Sequence, residues 1–121
     1  MKQLFILFFI TFSIIVVAQT DDPKATIAGL SGGLITKKEL LSQENLVPNS
    51  KDIVIIEFTM SYPIGDDDVV ELLSNSDKIT KEMKDHIDGL KTGSELSFEN
   101  IKAKKGNSTI ILEAINLKIK E

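Results

Sequence analysis

Hydrophobic and polar positions alternate along this chain with changing period, and the changes mark its elements. A mostly apolar run from Leu4 to Val17 opens it, flanked by Lys2 and by Ala18-Gln19-Thr20. Lys24 to Ala28 is a short strand candidate stopped by Gly29, and Ser31-Gly32-Gly33 reads as a flexible turn. Thr36-Lys37-Lys38-Glu39 has capping-box spacing and predicts one helical turn through Leu40 and Leu41. After Pro48-Asn49-Ser50 comes the clearest strand, Ile53 to Tyr62. Its period of two puts Val54, Ile56, Phe58, Met60 and Tyr62 on one face. Ile53 and Ile55 start the other face, predicting a first half covered on both sides. Pro63 ends it, Ile64 to Asp68 is a loop, and Val69 to Leu73 is a second apolar run of strand length.

The period then becomes helical. Ile79, Met83, Ile87 and Leu90 form a narrow apolar stripe, predicting a helix over residues 81–92. Thr80 is its N-cap, Glu82 and Lys91 complement its two ends, and Gly93 stands where a left-handed cap belongs. From Glu95 the strand pattern returns with a defect. Leu96 and Phe98 are out of phase with Ile101 and Ala103, which predicts a bulge near Glu99-Asn100. Lys104 to Asn107 is a hairpin turn. In the last strand Ile110 and Leu112 are again out of phase with Ile115, Leu117 and Ile119. The whole predicts a mainly β fold, an immunoglobulin-like β-sandwich with one short helix inserted.

The opening run is shorter than the roughly 20 residues of a spanning helix. With its charged start and small residues at the end it reads as a signal peptide, residues 1–18. An uncleaved membrane anchor is the competing reading. Residues 19–23 are then a tether and residues 24–121 one domain, placed in the periplasm or outside the cell. Phe5, Phe8, Phe9 and Phe12 belong to the leader, so Phe58, Phe98 and Tyr62 are the only aromatics left for a core of Ile, Leu and Val.

Composition narrows the chemistry. The 121 residues contain no Cys, which excludes disulfides, thiolate metal sites and cysteine nucleophiles. All 14 basic residues are Lys, one His is present, and the net charge is -4, a balance that argues against a nucleic-acid surface. Asp66-Asp67-Asp68 is the weak metal candidate, for Ca²⁺, but lacks the alternating spacing that lets carboxylates converge on one ion. A solvated loop tip is its plainer reading. His86 lies between Asp85 and Asp88, which point elsewhere on a helix, while Glu82 shares its face. No motif supplies a nucleophile, so an exposed helix histidine is expected. Ser31-Gly32-Gly33 lacks the remainder of any phosphate loop, and Asn107-Ser108-Thr109 matches a glycosylation acceptor. No catalytic residue and no cofactor is assigned.

Several segments in order resemble a known family. They are Lys24-Ala25-Thr26-Ile27-Ala28-Gly29, Ser31-Gly32-Gly33, Ile35 to Leu41, Ser74 to Thr80, Leu90 to Ser94, Leu96 to Ala103, and Ile115 to Ile119. Together, over about residues 23–120, they resemble the C-terminal domain of GldM, a gliding-motility and type IX secretion protein of Bacteroidetes. The resemblance implies an immunoglobulin-like or related periplasmic sandwich that contacts envelope partners of that machinery and is not an enzyme. It covers only the terminal domain, so coupling to an inner-membrane motor is not implied. Two functions are therefore expected in order: a non-enzymatic, exported protein-interaction module, or a small-ligand or Ca²⁺-binding module using Asp66, Asp67 and Asp68. For the first, an edge at the irregular strand near Glu99-Asn100 is the docking candidate.

Overall fold

The computed structural model describes residues 22–121. The expected signal peptide and the start of the tether lie outside the described residues. The rest is mainly β, with eight strands in two sheets and two short helices: β1 Ala25–Thr26, β2 Gly32–Thr36, α1 Lys37–Leu41, β3 Val47–Pro48, β4 Ile53–Ile64, β5 Asp68–Ser74, α2 Lys81–Asp88, β6 Glu95–Lys105, β7 Ser108–Leu112 and β8 Ile115–Lys120. A six-stranded sheet runs β2-β8-β6-β4-β5, with β7 also paired to β6, and β1 with β3 makes a two-stranded ribbon. The residues before β1 are tied down: the Asn49 side-chain amide donates to the Asp22 carbonyl and its oxygen accepts from the Lys24 amide.

One defect repeats at three neighbouring places, inside β4, inside β6 and at the junction of β7 with β8. Buried positions along a strand recur every second residue. In β4 they go from Ile55 to Phe58, in β6 from Phe98 to Ile101, and between β7 and β8 from Leu112 to Ile115. Each of the three therefore takes one step of odd length. The extra residues sit side by side: the β4–β6 register shifts around Glu57, and Phe98 pairs with Ile115 while Ile101 pairs with Leu112. Asn100 takes the left-handed conformation, φ 51°, which an asparagine tolerates better than most residues. A bulge bends its strand and increases its twist, so three in line crease the sheet and keep one side apolar above and below the crease.

That apolar side carries the core. Phe58 and Phe98 meet edge-to-face at 5.7 Å, both fully buried. Over them pack Met83 and Ile87 from α2, Leu40 from α1, Ala25 from the ribbon and Leu46 from the loop before β3, in one continuous cluster. Both helices begin as their caps predict. Thr36 Oγ1 accepts from the Glu39 amide and Thr80 Oγ1 from the Met83 amide.

Five expectations need correction. The first half of β4 is covered on one side only: Ile53 and Ile55 are buried while Val54 is 59% exposed, because the phase changes inside the strand. The inserted helix ends at Asp88 rather than residue 92, with Gly89 capping it in right-handed geometry. Gly93, φ 94°, instead donates its amide to the Ile119 carbonyl, and Lys37 Nζ reaches the Asp88 carbonyl in place of Lys91. The last strand is two strands. The helical turn expected through Leu40 and Leu41 is a second short helix, α1, beside the single inserted one. Gly32 and Gly33 open β2, which runs parallel to β8. A Cβ on Gly32 would stand 3.2 Å from the Asn116 carbonyl oxygen, so glycine permits that close pairing.

The crease makes a specific demand on Asn100. Replacing it with Gly is expected to change stability by less than about 0.5 kcal/mol, and replacing it with Val to remove about 1–2 kcal/mol, read from urea denaturation.

Candidate functional site

The acidic motif is a tight turn. Ile64 pairs with Asp68 across it, and Gly65 turns the chain at φ 66°. Asp66 and Asp67 stand exposed at the tip, and Asp68 begins β5. Among the described residues no group of three or more His, Asp or Glu side chains is placed to share a metal ion.

His86 is not a plain surface residue. It is half-buried, and its Nδ1 shares a hydrogen bond of 2.6 Å with the Tyr62 hydroxyl, with the rings edge-to-face at 5.9 Å. The anticipated neighbour Glu82 is not its partner in that bond. With His86 neutral, the phenol donates to Nδ1 and the ring proton sits on Nε2. This pair fastens α2 to β4 and forms one wall of an open cleft of about 1050 Å³, lined also by Ile64, Leu90, Lys91 and Glu95. Nothing in the spacing of Tyr62 and His86 along the chain signals their meeting. Carboxyls are held below the ordinary range at Glu44, by the hydrogen bond and charge of Lys84, and at Asp52, chiefly by the Ser50 hydroxyl. Neither lines the cleft.

Sheet edges offer a different kind of site. The strand expected to be an edge, β6, is a central one: β4 pairs with one side of it, β7 and β8 with the other. Its bulge serves the crease. Among the described residues, the strands of the six-stranded sheet that are hydrogen-bonded to a single neighbour are β5, β7 and β2. On β5, alternate residues aim backbone N–H and C=O groups away from β4. No Pro, Lys or bulge interrupts these seven residues, and the one charge inside the strand that guards the edge is Glu71. Val69 is 53% and Leu73 56% exposed on the outer face, with Glu71 between them.

No protein-family model matches the chain, and no curated protein matches it. Function therefore has to be argued from the site. Among the described residues no helix is long and apolar enough to cross a membrane.

Two outcomes follow from this geometry. Tyr62→Phe is expected to lower stability by about 1 kcal/mol, since the half-buried imidazole loses its partner. Millimolar Ca²⁺ is expected to leave the melting temperature unchanged, because exposed carboxylates on one turn do not converge.

Proposed function

We propose that the exported chain is a non-enzymatic protein-interaction module of the cell envelope that docks through the open edge of β5. The observation that carries this reading is the edge itself. Alternate residues of a seven-residue strand aim their backbone groups outward, and two apolar side chains, Val69 and Leu73, are more than half exposed. Strand addition satisfies such an edge: main-chain hydrogen bonds supply affinity, and contacts to alternate side chains supply selectivity. Glu71 is the single charge within this strand, and an edge so lightly guarded is a liability to a protein that has no use for it.

The likeness of Lys24 to Gly29, Leu96 to Ala103 and Ile115 to Ile119 to the terminal domain of GldM supports the same class of function, with an envelope component of a secretion or motility machinery as partner. On this reading the six-stranded sheet is one layer of an immunoglobulin-like sandwich, and the ribbon and helices occupy the place of the other. The signal-peptide pattern of residues 1–18 supports delivery to the periplasm or beyond.

The test is recovery from envelope extract of the source organism by the tagged, exported protein. The wild type is expected to retain a specific protein that Val69→Lys/Leu73→Lys loses, with the circular dichroism of both proteins alike. Equal retention by the two would contradict docking at β5.

A further inference from the structure

We infer that a second copy of this chain fits the β5 edge, through the β7 edge on the opposite margin of the sheet, so that molecules join head to tail. The inference rests on the edge reading above and names the occupant.

Strand direction permits the contact. β5 and β6 are each antiparallel to β4, and β7 is antiparallel to β6. A copy moved along the sheet without inversion therefore brings its β7 antiparallel to β5. β5 flanks β4 at Phe58–Ile64 and β7 flanks β6 at Ile101–Lys105, on opposite sides of the crease, so the copy is also displaced along the strands, below β2, and strand directions still alternate from β6 and β7 into its neighbour. Like β5, β7 has no Pro, Lys or bulge to defend it, and its outward Ile111 is 64% exposed.

Faces and register agree as well. Thr109 and Ile111 share the outer face with their partners Lys104 and Lys102, as Val69, Glu71 and Leu73 do beyond β4. Laying all of β7 along β5 face to face sets Val69 against Ile111 and Glu71 against Thr109 of the next copy. On the inner face Val70 meets Ile110, both half-buried.

Charge selects this pairing over its competitor. From Pro63 to Asp77 the chain has no basic residue, and Glu71 is in no ion pair among the described residues. Two β5 edges in full overlap about a two-fold axis would oppose Glu71 to its own copy, a like-charge contact across strands. Beside β7 lies Lys104, exposed and in no ion pair among the described residues; Lys102 is paired with Glu57. Lys104 stands two strand spacings from the incoming Glu71, roughly 10 Å between backbones, a gap these long side chains close. A head-to-tail contact of this kind uses two different patches, so it grows into a ring or an open filament and not a closed dimer.

Sedimentation velocity of the exported protein over a concentration series, at about 0.05 M and about 0.5 M salt, tests this. The average mass is expected to pass beyond the dimer as concentration rises, less so at high salt. Glu71→Lys and Lys104→Glu are each expected to weaken association about tenfold, and the double exchange to restore it to within about threefold. A monomer at every concentration, a dimer that stops growing, or a double variant no better than the single ones would overturn the inference. A monomer that still retains an envelope protein through Val69 and Leu73 would overturn self-association alone and leave the edge reading standing.

Discussion

A strand shows one residue in two to the core, and β4, β6 and the junction of β7 with β8 each break that rule once, at the same level. The constraint is mutual. If β6 alone carried an extra residue at Asn100, half of β4 and the segment after Leu112 would present polar residues to the core. The matched steps at Ile55–Phe58, Phe98–Ile101 and Leu112–Ile115 keep the apolar side continuous across the crease. They also gather Phe58 and Phe98 over one centre, against which both helices and the ribbon close. In a chain without disulfides, stability rests on that packing.

The same constraint divides the surface. Because the helices and the ribbon occupy the apolar side, the polar side of the sheet and its margins remain open. The proposed docking by backbone groups suits a domain whose cleft has, in one wall, an aromatic and an imidazole engaged with each other. The Tyr62–His86 contact ties α2 to β4 directly beside the turn that leads into β5, so the fold holds that edge in place from its strand side.

Much of this was legible in the residues. Both N-caps, the start of α2, the hairpin at Gly106-Asn107 and the bulge at Asn100 follow from local rules that tertiary structure did not override. What failed was non-local. The phase change in β4 was hidden because Ile53 to Ile56 are apolar without a break, so both faces looked equally fit for burial. Gly93 resembles a helix cap until its amide is seen on Ile119. The parallel pairing of β2 with β8 joins the two ends of the domain and leaves no mark in either segment beyond a glycine. Which strand forms an edge depends on strand order, and that order is set by packing, not by the composition of the strand. The same is true of Tyr62 and His86.

Hydrogen exchange of individual backbone amides is the most direct measurement of whether β5 is an uncovered binding edge. In dilute solution the outward amides of β5 should exchange quickly while those of β6 are protected on both sides, and the β5 amides should slow when the protein is bound to its partner or concentrated. Slow exchange throughout β5 in the dilute protein, or fast exchange that binding leaves unchanged, would contradict the account.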